Sequence, residues 1–173
     1  MNRLSPLCAA LVACAALAGC ATTDPSGQND PYEKTNRSIF AFDQALDHAV
    51  ARPVAVFYNH AVPQFARDGI HNFLGNLDAP VTLSNDVLQG SADRAGQTLG
   101  RIVINSTIGV GGLVDVAAKV GIPRHDEDFG QTLGYWGVGA GPYVVLPLLG
   151  PSTLRDTAAL PVDRFGDPVS QMD

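Results

Sequence analysis

Apolar positions recur every three or four residues through most of the chain, which predicts a succession of amphipathic helices. The first predicted helix begins at Asp30-Pro31, where Asp30 can cap the amino end and proline suits the first turn. Its apolar side is formed by Ile39, Phe42, Leu46 and Ala49 or Val50. Because the residue before a proline is driven out of helical geometry, we expect this helix to end at Arg52-Pro53.

Proline, glycine and serine divide the rest of the chain into further predicted helices. These cover residues 53–61, 64–76, 80–88, 91–105, 113–120, 129–136 and 152–159. Only Ile102–Ile104 and Tyr143–Leu146 have strand character, and neither has a partner run that would complete a hairpin. The pattern therefore predicts an all-α fold of short amphipathic helices joined at Gly and Pro.

The stretch "GVGAGPYVVLPLLG", residues 137–150, departs from the helical pattern. It is punctuated by Gly and Pro, it carries no charge, and its run Tyr143–Leu149 is apolar. That run is too short to cross a bilayer, which takes roughly 20 apolar residues. Two interpretations stay open: a buried core segment, or an apolar loop that meets lipid at an interface or lines an apolar passage.

The amino end has the pattern of a bacterial lipoprotein signal. An apolar run from Leu4 to Ala18 leads into Leu17-Ala18-Gly19-Cys20, which resembles a lipobox with cleavage before the cysteine. An ordinary signal peptide with a chance cysteine is the alternative. We predict a signal at residues 1–19, lipid attachment at Cys20, a flexible tether over residues 20–29 and one helical domain over residues 30–173.

Lipid attachment at Cys20 would leave the mature chain without a free cysteine. Cys8 and Cys14 lie in the segment predicted to be removed, so no disulfide framework is expected. Two or three acyl chains make such an anchor effectively permanent. By resemblance to such lipoproteins, Ala21 rather than Asp after the cysteine favours the outer membrane, with the protein facing the periplasm.

The charge balance is acidic. The chain has 11 Lys and Arg against 17 Asp and Glu, and Arg3 lies in the predicted signal, so the mature net charge is near −7. Nucleic-acid binding needs clustered Lys and Arg, and this composition argues against it. Contact with a membrane would have to be apolar.

The sequence lacks the residue patterns typical of catalytic, metal-binding or nucleotide-binding sites. The four histidines, His48, His60, His71 and His125, are not spaced as metal ligands on a helix, and no G-x-S-x-G elbow occurs. Residues 109–114 and 137–142 do not match the glycine-rich phosphate motifs. Residues 125–128 form a solvated loop more readily than a calcium loop, which spaces its ligands at alternate positions. We therefore predict no catalytic residue, no metal and no cofactor, and a protein that is not an enzyme.

Five stretches in order cover nearly all of the predicted mature chain and resemble the MlaA/VacJ family of outer-membrane lipoproteins. They are "DPYEKTNRSIFAFDQALD", "RPVAVFYNHAVP", "NFLGNLDAPVTLSNDVLQG", "INSTIGVGGLVDVA" and "DFGQTLGYWGVGAGPYVVLPLLGPSTLRD". The resemblance implies a ring of short helices in the inner leaflet, with an amphipathic channel that removes misplaced phospholipid from the outer leaflet and maintains lipid asymmetry. It also implies a trimeric porin and a soluble periplasmic lipid carrier as partners.

Candidate residues for shaping that passage are Asn72-Phe73 and the Gly141–Gly150 segment. Within the segment we single out Gly141, Tyr143, Val145, Leu146 and Pro147. Family members usually continue well past the position where this chain stops, and "RDTAALPVD" lacks a glycine often found after that Arg-Asp. We therefore expect a shortened copy, in which ring closure and partner contacts are in question.

Two rival functions remain open at this point. One is a structural lipoprotein that scaffolds other envelope proteins without transferring lipid. The other is a membrane-bound hydrolase, which would need a nucleophile–base pair that the sequence does not offer.

Overall fold

The computed structural model describes residues 30–167, and that part of the chain is mostly helical. The helices are α1 (Glu33–Leu46), α2 (Arg52–Ala61), α3 (Gln64–Leu88), α4 (Ala92–Thr107), α5 (Val116–Lys119), α6 (Phe129–Tyr135) and α7 (Leu154–Gly166). Strands β1 (Tyr143–Leu146) and β2 (Gly150–Thr153) form one small antiparallel hairpin. The predicted helical class is confirmed, and the ring remains a prediction.

Helices α1 and α2 are joined without a break by a π-helical turn, Asp47–Ala51. The expected end at Arg52-Pro53 was therefore wrong, since Arg52 has helical angles of φ −64° and ψ −48°. Pro53 follows this wider turn and stands in the first turn of α2.

Helix α3 runs for 25 residues through Pro80, where the sequence predicts two helices. An internal proline costs about 3 kcal/mol. That cost is outweighed by packing, because α3 lies along α4 and also contacts α6 and α7. The residues that become buried, Val81, Thr82, Asn85 and Asp86, come directly after the proline.

Three other expectations need correction. Tyr143–Leu146 does find a partner strand, whereas Ile102–Ile104 lies inside helix α4, within the helix predicted over residues 91–105. Helix α5 is only four residues long, because Val110, Gly111 and Gly112 take up left-handed angles and delay its start. The last helix begins at Leu154, is capped by Thr153 rather than Ser152, and continues through Pro161 to Gly166.

The elements pack as two helical groups and a hairpin. Helices α3 and α4 form the main pair, α6 and α7 pack on each other, and strand β1 lies against α1. Within residues 30–167, no helix combines the length and the apolar character needed to span a bilayer.

Candidate functional site

The described residues have an unusual distribution of polarity. Only four apolar side chains among them are buried, at Val81, Ala117, Val145 and Ala159. Ten polar or charged residues are buried, and many large apolar side chains are exposed, including Phe57 (73%), Phe65 (80%) and Ile108 (71%). Exposed apolar area on this scale is a feature of surfaces that meet a membrane or another protein.

The interior is held together by polar contacts. The Asp86 carboxylate is fully buried and accepts a 2.6 Å hydrogen bond from Thr98, and it lies 3.0 Å from the His125 ring nitrogen. Beside it, Thr132 donates to Asn85 at 2.8 Å, and Gln89 donates to Glu127 at 3.0 Å. Such a network fixes a unique arrangement when its members are paired.

A small polar cavity of about 90 Å³ lies between α3, α4 and the segment after α5. Its lining includes Asn72, Asn76, Asn105, Arg101 and Arg124. Arg101 spans the cavity wall, donating to Asp115 at 2.8 Å and to the Ile122 carbonyl at 2.6 Å. Among residues 30–167, no group of three or more His, Cys, Asp or Glu is placed to hold a metal ion.

The apolar hairpin presents two different surfaces. Val145 is buried at 4% exposure, whereas Leu148 (71%) and Leu149 (61%) at the tip are exposed. The register pairs Tyr143 with Thr153 and Leu146 with Gly150. Val145 therefore contributes to the core, and contact of the exposed tip with lipid remains a prediction.

Helix α1 holds the hairpin through two polar side chains. Asn36, almost fully buried, accepts from the Val145 N–H at 2.9 Å and donates to the Tyr143 carbonyl at 3.1 Å. Two turns further along α1, Asp43 accepts from the Leu148 N–H at 2.9 Å. Sequence analysis missed both residues; their spacing of seven places them on one face of α1, but α1 is rich in polar residues and this spacing does not single them out.

The predicted passage residues fall in two places. Asn72 lines the polar cavity and donates to the Leu113 carbonyl at 3.3 Å, whereas Phe73 beside it is exposed. The hairpin residues lie against α1 instead. Cys20, the predicted signal and the predicted tether lie outside the described residues.

Gly141, at the entrance to the hairpin, has a backbone conformation that favours glycine. Its φ is +71°, and an added Cβ would lie 3.3 Å from the Leu154 Cβ. We expect Gly141→Ala to lower the free energy of unfolding by about 1–3 kcal/mol, because an L-residue is strained at this angle. Thermal unfolding followed by circular dichroism checks this.

Gly139→Ala is the control, since its φ is not left-handed and nothing lies within 4 Å of the place a Cβ would take there. An equal loss in that variant would contradict the assignment.

Four carboxyl groups have shifted pKa values. Burial raises the pKa of Asp163, reinforced by Asp128 and Asp78, although hydrogen bonds from Phe129 N–H and Asn85 oppose it. Burial, followed by Asp126 and Asp167, also raises the pKa of Asp78. At Asp115 and Asp156 burial alone would raise the pKa, but hydrogen bonds led by those from Arg101 and Arg155 lower it.

The raised pKa of Asp163 has a consequence for stability. A raised folded-state pKa means that the contribution of this carboxyl is most favourable below its unfolded pKa and is lost as pH rises through the folded pKa. We therefore expect Asp163→Asn, which keeps an acceptor for the Phe129 N–H, to raise the melting temperature at pH 7 and to have no effect near pH 3. Melting curves across this range test it. A lower melting temperature at pH 7 would contradict the expected sign.

Residues 28–173 of this chain match the family model described as MlaA lipoprotein. An uncharacterized protein of Rickettsia bellii is 46% identical over 73% of this chain and 50% of its own length. The "Intermembrane phospholipid transport system lipoprotein MlaA" of Escherichia coli is 43% identical over 83% of this chain and 59% of its own length. The Haemophilus influenzae protein of the same name is 35% identical over 92% and 65%.

One solved structure adds a fold match. It was reported under the words "Structural basis for maintenance of bacterial outer membrane lipid asymmetry", and it is 40% identical with a TM-score of 0.75. The match covers 83% of this chain and 74% of that chain. This chain spans about half to two thirds of the length of these curated relatives.

Proposed function

Because this chain belongs to the MlaA lipoprotein family, we propose that it removes misplaced phospholipid from the outer leaflet of the outer membrane. In this proposal the protein is anchored by acyl chains on Cys20 and faces the periplasm. It passes lipid to a soluble periplasmic carrier beside a trimeric porin, and so maintains lipid asymmetry. Nothing in the transfer requires a covalent step.

The proposal rests on one observation: most buried side chains of the described residues are polar, whereas many large apolar side chains are exposed. Asp86 and Thr132 are fully buried, whereas Phe65 and Leu148 are largely exposed. In water such a surface would be costly, at roughly 25 cal/mol for each Å² of apolar area. In contact with lipid chains the same area carries no such cost, which favours a body seated in a leaflet.

A route for phospholipid needs both polar and apolar walls, since the molecule has a charged head and apolar tails. In this proposal the polar cavity between α3 and α4 belongs to the polar wall. The exposed tip of the hairpin belongs to the apolar wall. On α3, Asn72 lines the cavity and Phe73 beside it is exposed, so in this proposal Asn72 belongs to the polar wall and Phe73 to the apolar surface.

Restoration of lipid asymmetry in cells tests the proposal. The chain is expressed in a bacterium that lacks its own lipoprotein of this family, and surface phospholipid is measured with a phospholipase added outside intact cells. We expect surface phospholipid to return to the level of the parent strain. The control is Cys20→Ala, which removes the predicted anchor.

A scaffolding lipoprotein would give a different result. An anchored, correctly localised chain that leaves surface phospholipid high would overturn the transfer function and favour the scaffold. Mass spectrometry of the first mature residue provides the independent check on the anchor.

A further inference from the structure

We propose that Asn36 and Asp43 are positioning residues of the lipid passage, acting on the apolar hairpin in place of a third β-strand. The inference rests on the proposed function, because it assigns the hairpin tip a place on the route taken by phospholipid. Both residues lie on α1, seven positions apart, and both bond to the backbone of the hairpin rather than to its side chains.

Asn36 satisfies the free edge of strand β1. An edge strand in a two-stranded sheet presents unpaired N–H and C=O groups, and in an apolar setting each such group is costly. The Asn36 side chain accepts from the Val145 N–H and donates to the Tyr143 carbonyl, which are the two bonds that a neighbouring strand would make. Its amide is oriented by the Asp30 carboxylate, 3.0 and 3.1 Å away.

Asp43 holds the tip by a single bond. Its Oδ1 accepts from the Leu148 N–H at 2.9 Å, and its Oδ2 is buried with no partner within the described residues. Leu148 itself has a φ of +69°, an angle that a leucine rarely adopts. A strained residue in this conformation persists because its surroundings fix it.

The two contacts therefore place an apolar tip next to α1 with its backbone polar groups paired. Without Asn36 the Val145 N–H and the Tyr143 carbonyl at the β1 edge would lose their hydrogen-bond partner. Without Asp43 the tip would lose the bond that stabilises the strained Leu148. The exposed side chains of Leu148 and Leu149 would then no longer occupy one position on the surface.

Label mobility and lipid cross-linking at Leu149 test this on the full chain in membranes. No cysteine follows Cys20 in the sequence, so Leu149→Cys introduces one thiol for a nitroxide label; the chain without it controls for background labelling. A photoreactive residue at Leu149 in a second series reports contact with radiolabelled phospholipid. Asp43→Ala should increase the freely rotating fraction of the label, and reduce the lipid adduct, by about threefold to tenfold. Asp43→Asn keeps an acceptor and should resemble the unsubstituted chain.

Exchanging the charged and neutral side chains of Asp30 and Asn36 provides a second test of the proposal. Asn36→Asp places a carboxylate against Asp30 and removes the donor to the Tyr143 carbonyl, so it should release the hairpin. The Asp30→Asn/Asn36→Asp double variant replaces the two facing carboxylates with a donor–acceptor pair and keeps the acceptor for the Val145 N–H, while the donor to the Tyr143 carbonyl stays absent. We expect the double variant to recover label immobilisation and lipid adduct relative to the single one. Should the single variant fail to fold, the Asp43 pair decides alone.

The outcomes separate the two proposals. Unchanged label mobility in Asp43→Ala overturns the positioning role of Asp43. A freed label with an undiminished lipid adduct overturns the link between position and lipid, and leaves the proposed function standing. An unsubstituted chain that gives no phospholipid adduct at Leu149 overturns the lipid function of the hairpin, while the label comparison still decides the contact with α1.

Discussion

Replacing Leu149 with Asp is expected to reduce phospholipid clearance about tenfold while the protein remains folded and anchored. Leu149 is 61% exposed at the hairpin tip, so the new carboxylate stays hydrated in the free protein and does not disturb the core. A charge that must approach acyl chains costs about 2.5–3.5 kcal/mol at the centre of a bilayer and less near its surface. A cost of about 1.4 kcal/mol already gives the tenfold loss. Surface phospholipid in intact cells is the measurement.

Two matched variants separate the apolar requirement from charge and from fold. Leu149→Met keeps an apolar side chain and should clear lipid normally. Gln97→Asp adds the same charge at an exposed position of α4 and should also clear lipid normally. Normal clearance by Leu149→Asp would remove the hairpin tip from the mechanism.

The largest stability effect is expected at Arg101, where Arg101→Met should lower the free energy of unfolding by about 3 kcal/mol or more. The Arg101 side chain is 11% exposed and holds the Asp115 carboxylate and the Ile122 carbonyl. Removing it leaves both acceptors without this donor beside the cavity. Since Asp115 also caps α5 through the Ala118 N–H, the turn after α4 should loosen with it. Urea unfolding in detergent, followed by circular dichroism, measures the loss.

An exposed ion pair provides the comparison for Arg101. Arg37 and Glu33 lie 2.8 Å apart on the surface of α1, with side-chain exposures of 79% and 46%. Such pairs contribute at most about 1 kcal/mol, so Arg37→Met should have a small effect. Equal losses of unfolding free energy in Arg101→Met and Arg37→Met would contradict the larger contribution assigned to the buried Arg101 contacts.

Local sequence signals predicted the helices well where local energetics decide. The 3.6-residue apolar period located α2, α4 and α6 to within two residues of their observed ends. The errors at Pro53 and Pro80 both come from a proline rule that is local: at Pro53 a π-helical turn continues the helix, and at Pro80 tertiary packing outweighs about 3 kcal/mol. At Pro80 the packing of α3 on α4 provides that compensation.

The candidate site could be predicted only in part. An apolar stripe has the same period whether it faces a core or a membrane, so Phe42 and Phe57 gave no indication that they would be exposed. The hairpin was missed because strand β2, with its sequence Gly-Pro-Ser-Thr, carries few of the usual strand-forming residues. Asn36 meets Val145 across 109 positions of sequence, a contact that short-range patterns cannot reveal.

Photo-cross-linking in living cells tests most directly whether the apolar surface of this protein touches phospholipid. A photoreactive residue is placed at Leu149 or, as a control, at Gln97, and the cells are fed radiolabelled phospholipid precursor. We expect a radiolabelled phospholipid adduct on the Leu149 variant and little or none on the Gln97 variant. Equal labelling of the two positions, or no adduct at Leu149, would contradict a lipid-contacting hairpin tip.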